Sequence, residues 1–243
     1  MVTEKIFNSR SEFPFSGFST PPLSLFCSSA LIKEVHEKYG NSLVVANSLG
    51  KDSVCVWDLA KRVSPGIRGF IVTTRFKPEE TVQFMKETVA QYPELKIYRS
   101  DVPIPEKLYE IDPDRCCEIL KVEPTRRAIE EMQVKCWVTG MRCTEGRTRT
   151  DFQEVEERDR GLIKLNPILI WKEREVWQYL VLHKVKVNPL YAQGYRSLGC
   201  APCTTITNEE SERAGRWLGT SKCGGECGIH TRPLKMNVDG DGI

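Results

Sequence analysis

Five cysteines stand where residue type and spacing suggest chemistry: the adjacent Cys116 and Cys117, the C-x-x-C pair Cys200 and Cys203, and Cys227 within Gly224-Gly-Glu-Cys-Gly228. A C-x-x-C pair is a two-ligand clip, because its sulfurs converge on one ion or cluster. Neighbouring cysteines rarely present both side chains to one small tetrahedral ion without strain. Four thiolates meeting the larger cube of a [4Fe–4S] cluster, one per iron, relieve that difficulty, so the quartet reads first as a cluster site, with zinc or no metal as the alternatives. A thioredoxin-like redox pair is a further reading of Cys200 and Cys203, and their place late in the chain, outside any early βαβ unit, speaks against it. Cys227 lacks the apolar neighbours of an inert core thiol.

A second constellation is Ser48-Leu-Gly-Lys-Asp-Ser53. Gly50 lets the backbone approach an anion, Ser48 and Ser53 offer hydroxyls, and Lys51 and Asp52 follow at the start of a helical stretch whose N–H groups point at the loop. The G-x-x-x-x-G-K-[ST] spacing of the Walker loop is absent. An ordinary serine-glycine turn with a surface lysine is the bland alternative, and the strand before the loop and the helix after it favour an oxyanion cradle.

The elements that must position these residues are legible in part. Asn41 to Asn47 is a short β-branched run fit for a buried strand, and Val54 to Arg62 is helical. Further strands are expected at Ile67 to Thr73, Leu95 to Tyr98, Lys135 to Gly140 and Leu162 to Ile170. Helices are expected at Ser28 to Tyr39, Pro78 to Tyr92 and Glu173 to Leu182, the second opening on the acidic Glu79 and Glu80 that a helix dipole prefers. Strands alternating with helices of this length indicate an α/β fold: a doubly wound, mainly parallel sheet with flanking helices. From Asn188 the periodicity fades into an irregular cysteine-bearing segment. The expected organisation is an arm at residues 1–24, a nucleotide-binding α/β domain at 25–206 carrying the quartet, and a mobile segment at 207–243, where Gly219, Gly224, Gly225 and Gly228 would let Cys227 swing.

Composition sets the outer limits. The chain has 243 residues with 10 cysteines, 40% hydrophobic and 28% charged, which is globular and too long for a small disulfide scaffold. Apolar residues between Met1 and Ile32 are broken by serines and prolines, unlike a secretory signal, and nothing reaches the roughly 18 uninterrupted apolar residues of a membrane span. A cytoplasmic protein is expected. The net charge of +2 gives no global pull toward nucleic acid or membrane, so any anion site is local. Cys27, Cys55, Cys136 and Cys143 lie among apolar residues or beside strands and are expected to be buried. Cys223 reads as a bystander, with a resolving thiol or spare ligand as alternatives. Most of the mixed-charge run Arg142 to Arg160 is expected to be a solvated face, and His36 and His183 to be structural or solvated.

The loop order S-x-G-K-D-S after a strand resembles the pyrophosphate loop of the adenine-nucleotide alpha-hydrolase group. Cys116-Cys-Glu-Ile-Leu-Lys-Val-Glu-Pro124, Gly140-Met-Arg142, Asn188-Pro-Leu-Tyr191, Gly199-Cys-Ala-Pro-Cys203, Arg213-Ala-Gly-Arg-Trp217 and Glu226-Cys-Gly-Ile-His230 together resemble the assimilatory sulfonucleotide reductases. The iron–sulfur branch, adenylylsulfate reductase, matches best, over about Ser42 to His230. The resemblance implies that Cys116, Cys117, Cys200 and Cys203 hold a [4Fe–4S] cluster, that Lys121 lies between cluster and substrate, and that Arg213 and Arg216 grip the phosphosulfate. It makes Cys227 the nucleophile and Arg142 a nucleotide-facing residue. Arg213, Arg216 or His230 would supply the positive field that favours a thiolate.

The implied activity is reduction of adenylylsulfate to sulfite and AMP through an enzyme S-sulfocysteine, released by thioredoxin or glutaredoxin, with phosphoadenylylsulfate as the neighbouring substrate and a homo-oligomer left open. Many reductases resembling this one have lost the Lys-Asp pair of the loop, whereas Lys51 and Asp52 are intact here. The rival reading is therefore an ATP pyrophosphatase that adenylates an acceptor for sulfur insertion, as in DNA phosphorothioation or tRNA thiolation, and nucleic acid enters only there. A non-catalytic metal-binding module would leave Arg213, Arg216 and Cys227 unexplained.

Overall fold

Leu43-Val-Val-Ala46 has no polar face, and a strand of that kind belongs in the middle of a sheet covered on both sides. It does so in the computed structural model, which describes residues 23–146, 149–222 and 225–234. The arm up to residue 22, Cys223 and Gly224 lie outside the described residues. The elements are α1 (Leu23–Tyr39), β1 (Leu43–Ala46), α2 (Lys51–Val63), β2 (Arg68–Thr73), α3 (Glu79–Gln91), β3 (Leu95–Arg99), α4 (Leu108–Ile111), α5 (Pro113–Cys117), α6 (Glu123–Glu131), β4 (Cys136–Val138), β5 (Val155–Glu157), β6 (Ile163–Leu165), α7 (Glu173–Leu182) and α8 (Gly228–Thr231). Among the described residues no helix is long and apolar enough to cross a membrane.

The sheet has the order β3-β2-β1-β4-β6-β5, parallel except for β5 against β6. Leu43 and Val45 face one core, with Trp57 and Leu59 of α2, Phe84 of α3 and Trp171. Val44 faces the other, with Phe70, Tyr98, Trp137 and the Ala128–Ile129 pair of α6. The doubly wound, mainly parallel fold expected from the alternation is the one observed.

Two expectations need correction. The strand expected over Leu162 to Ile170 ends at Leu165, because Asn166 turns the chain: its side-chain amide donates to the Gln153 carbonyl and to Glu156, both at 2.7 Å. The run Arg142 to Arg160 is mainly exposed or half-exposed as expected, with Glu145 and Arg149 buried beside the expected exception Arg142. Cys27 is exposed and Cys143 half-buried, while Cys55 and Cys136 are buried as expected.

The stretch before β4, unread in the sequence, is the one that matters for chemistry. α5 is capped by Asp112, whose side chain accepts from the Arg115 N–H at 2.8 Å, and α5 runs into a π-helical turn, Glu118–Val122, before continuing as α6. Such turns insert one extra residue and are frequent at functional sites. This one carries Lys121.

Candidate active site

In open α/β sheets ligands bind beyond the carboxyl ends of the strands, where the strand order reverses. Here that point lies between β1 and β4, neighbours from which the chain winds outward in opposite directions. A cavity opens there, bounded by Ala46 to Ser48 after β1 and Thr139 to Met141 after β4. Gly140 makes the junction: a Cβ on it would stand 2.6 Å from the backbone of Asp52 and Ser53 at the start of α2.

The loop after β1 is held by its own side chains. Leu49 adopts φ 67°, a left-handed conformation costing about 1–2 kcal/mol for a residue with a Cβ. Its burial and the acceptance of its N–H by Asn47 Oδ1 at 2.9 Å offset that cost. Ser53 Oγ accepts from the Ser48 N–H at 3.1 Å. Ser48, Gly50, Asp52 and Ser53 line the cavity, whereas Lys51 and Arg142 are absent from its lining. Lys51 Nζ donates to Glu212 at 2.8 Å and to the Arg196 carbonyl at 3.0 Å; Arg142 binds Asp52 and Glu212, both at 2.6 Å. In this structure Arg142 and Lys51, expected beside the nucleotide and in the anion pocket, are engaged beneath the loop. Each cation has stronger demands from buried carboxylates.

The opposite wall is a set of cations. Arg149, Arg213, Arg216, Lys77 and Lys121 all line the cavity. Arg149 and Arg213 share the Glu226 carboxylate, at 2.6 and 3.1 Å from Arg149 and 3.1 Å from Arg213. Burial pushes the Glu226 pKa up, but the Arg149 guanidinium and then Arg213 outweigh it and hold the carboxyl well below the usual range. Arg216 donates to the Leu198 carbonyl at 2.8 Å, and its buried Nε has no partner among the described residues. Trp217 lies under Arg216, Arg213 and Lys222, with 4.4, 5.4 and 5.5 Å to the ring centroid. Those cation–π contacts hold the guanidinium groups in place. His230 stacks on Trp137 at 5.7 Å between centroids, and burial pushes its pKa well below the ordinary value, leaving a neutral imidazole.

Cys116, Cys117, Cys200 and Cys203 line one small adjoining pocket with Phe76, Tyr109 and Lys121. Among the described residues no three His, Cys, Asp or Glu side chains are gathered as a site for a metal ion. Yet four buried thiols on one pocket form a soft donor set of the kind iron–sulfur groups take. Thr74 Oγ1 lies 3.2 Å from Cys200 Sγ. Cys227 packs against the cluster of Cys200, Cys203 and Trp217. Lys121 lines both spaces. Burial works against its ammonium, but the Cys200, Cys227 and Cys117 sulfurs hold it charged, its pKa above the ordinary value.

The CxxC segment and the arginine segment are one unit. Thr204 bridges Arg216, the Trp217 N–H donates to the Cys203 carbonyl at 3.0 Å, and the Thr205 N–H to the Gly215 carbonyl at 2.9 Å. A Cβ on Gly215 would lie 1.9 Å from the Thr205 carbonyl oxygen, so only glycine permits that approach. Sequence reasoning missed Lys77, Glu145, Arg149 and Glu212. Glu145 and Arg149 do stand at i,i+4, but an exposed helix face has the same spacing, and nothing in the sequence distinguishes the two.

Comparison with known proteins agrees with this geometry. The model of the phosphoadenosine phosphosulfate reductase domain matches residues 42–206. A phosphoadenosine 5′-phosphosulfate reductase of Gloeobacter violaceus is 33% identical, covering 83% of this chain and 87% of that protein. An adenosine 5′-phosphosulfate reductase of Halalkalibacterium halodurans is 35% identical over 82% and 90%, and one of Allochromatium vinosum 36% over 79% and 80%. Among solved structures, phosphoadenylyl-sulfate reductase from Candida auris superposes with a TM-score of 0.64 at 23% identity, covering 73% of this chain and 90% of that one, a likeness of fold. On the sequence match the chain belongs to the phosphoadenosine phosphosulfate reductase domain family.

Proposed function

We propose that the protein reduces a sulfonucleotide, adenylylsulfate first, to sulfite and AMP. The observation that carries this reading is the convergence of Cys227, Lys121 and three arginines on one cavity at the β1/β4 switch point, with the cysteine pocket adjoining through Lys121.

The chemistry follows from the side chains. The sulfur of a sulfate ester is shielded by anionic oxygens, so the site must neutralise charge and supply a strong nucleophile. Arg149, Arg213 and Arg216 are preorganised donors, and guanidinium forks suit phosphate and sulfate oxygens. The Cys227 thiolate attacks the sulfuryl sulfur, forming an S–S bond. The S–O bond to the phosphate breaks, and its electron pair leaves with AMP. Lys121 and the arginines stabilise the charge gathering on the leaving phosphate. A dithiol of the thioredoxin or glutaredoxin class then attacks Cys227 Sγ, expelling sulfite; its second thiol resolves the mixed disulfide and restores Cys227. Two electrons pass from the dithiol to sulfur.

Cys116, Cys117, Cys200 and Cys203 are the residues that would hold a [4Fe–4S] cluster. Bound there, it would supply a charged anchor joining α5 to the CxxC segment next to Lys121. Within the segment at 207–243, the part around Cys227 is read as moving between substrate and dithiol, while Arg213 to Trp217 stay tied to the CxxC segment.

The test is anaerobic purification, an absorption spectrum across the iron–sulfur charge-transfer region, and parallel assays with adenylylsulfate, its 3′-phosphorylated form and ATP. Sulfite release from a sulfonucleotide with a thioredoxin, and no pyrophosphate from ATP, is the expected result. Release of sulfite from neither would end this reading.

A further inference from the structure

The sulfonucleotide reading, on which this inference rests, leaves the intact Lys51-Asp52 pair without a task. A loop that binds the terminal phosphates of a nucleotide needs free N–H groups and a free ammonium. In this chain the Lys51 ammonium and three of the loop's N–H groups are already engaged. The Ser48 N–H is taken by Ser53 Oγ at 3.1 Å, the Leu49 N–H by Asn47 Oδ1 at 2.9 Å, and the Lys51 N–H at the start of α2 by Tyr191 Oη at 2.8 Å. Lys51 Nζ spends its protons on Glu212 Oε2 at 2.8 Å and the Arg196 carbonyl at 3.0 Å, with Asp52 at 3.4 Å and Glu173 at 3.7 Å.

Arg142 is engaged in the same way. It gives Nε to Asp52 and Nη2 to Glu212, both at 2.6 Å, and Nη1 to Thr144 at 3.0 Å. Lys51 and Arg142 are 1% and 0% exposed, and Glu212, the carboxylate they share, is 7% exposed. Two cations and two carboxylates thus balance beneath the loop. A phosphate chain entering at the loop would meet Asp52, which lines the cavity, while Lys51 and Arg142 are held away by their carboxylates. Removing the shared carboxylate would take one charged partner from both cations at once, leaving Arg142 on Asp52 and Lys51 on the Arg196 carbonyl.

We propose that Glu212 and Tyr191 are specificity-determining residues that lock the anion loop, admitting a nucleotide with one phosphate at the loop and turning away a terminal di- or triphosphate. Lys51 is then a positioning residue: it ties α2 to the segment around Arg196 and Glu212 and does not touch substrate. Glu212 immediately precedes Arg213, so the lock also fixes where the arginine wall begins.

The experiment measures dissociation constants of AMP, ADP and ATP for the full-length protein by calorimetry, and reads the ADP/AMP and ATP/AMP affinity ratios. Wild type is expected to bind ADP and ATP no more tightly than AMP. Glu212→Gln and Tyr191→Phe are each expected to raise both ratios about tenfold, and Lys51→Met added to Glu212→Gln is expected to cancel the gain. A purely structural role weakens all three nucleotides alike and leaves the ratios unmoved, which would overturn the proposal. So would a wild type that prefers ATP and loses the preference in Lys51→Met. If Glu212→Gln does not fold, Tyr191→Phe, which keeps the charge cluster, decides alone. Absence of AMP and adenylylsulfate binding in wild type removes the sulfonucleotide reading and the lock with it, whereas AMP binding with unmoved ratios removes only the lock.

Discussion

Arg149 clasps the Glu226 carboxylate through Nε at 2.6 Å and Nη2 at 3.1 Å, and Glu226 is the residue immediately before Cys227. Arg213 joins the same carboxylate, and the Cys227 N–H donates to it at 2.8 Å. An anion carried on the Cys227 segment thus occupies two of the guanidinium groups that a phosphosulfate would use.

On the proposed reading, substrate entry exchanges one anion for another. Glu226→Gln, which keeps the shape and removes the charge, is expected to lower the KM for adenylylsulfate about tenfold, because the arginines no longer have a full competitor. A lower kcat would accompany it if the carboxylate also orients Cys227. Steady-state kinetics check this, and a raised KM would show that Glu226 aids binding.

Arg149 is a structural keystone as well as part of the wall. Arg149→Met removes the cation closest to Glu145 and Glu226 and leaves them Arg213 alone, at 3.8 and 3.1 Å. Breaking a buried pair from one side costs about 3 kcal/mol or more, roughly 10 °C in Tm for a domain of this size. Thermal unfolding of the variant measures it, and a change of only a degree or two would contradict the assignment.

Acid should find the same cluster. Burial alone would raise the Glu145 and Glu226 pKa values, yet Arg149, with Arg213 behind it, pulls both below the ordinary carboxylate value of 4.5. Groups with depressed folded pKa values contribute stability that is fully present above their unfolded pKa and is lost as pH falls through the folded one. Tm is therefore expected to be flat above about pH 5 and to fall below it. Glu226→Gln should shallow that fall; an unchanged slope would place the acid sensitivity elsewhere.

The quartet makes a compositional prediction. Cys203→Ser is expected to lower iron and sulfide content in anaerobically purified protein and to bleach the charge-transfer absorption, whereas Cys55→Ser, buried in the sheet core, should do neither. Metal analysis beside the spectrum separates loss of the cluster from loss of colour alone. Zinc at full occupancy in wild type would contradict the cluster assignment.

How far the sequence reveals all this depends on local order. β1, α2, β2, α3 and β3 are legible because apolar period and turn residues agree at each. Residues 103–132 are not. Pro103, Pro105, Pro113 and Pro124 interrupt the pattern, and the π turn at Glu118–Val122 shifts the helical period midway. The site divides likewise. Cysteines, glycines and the Arg213 to Trp217 run carry their chemistry in spacing, whereas Arg149 and Glu212 acquire theirs only when distant segments bring them to Glu226 and Lys51.

The π turn also sets a limit on sequence drift. Each helical residue advances the face by about 100°, so deleting one residue between Cys117 and Glu123 would turn α6 by that angle against α5. Either Ala128 and Ile129 would leave the core beneath β1, or Cys116 and Cys117 would rotate off the cysteine pocket. The extra residue is the phase correction that lets one continuous rod serve two surfaces with incompatible periods, and Lys121 sits on it.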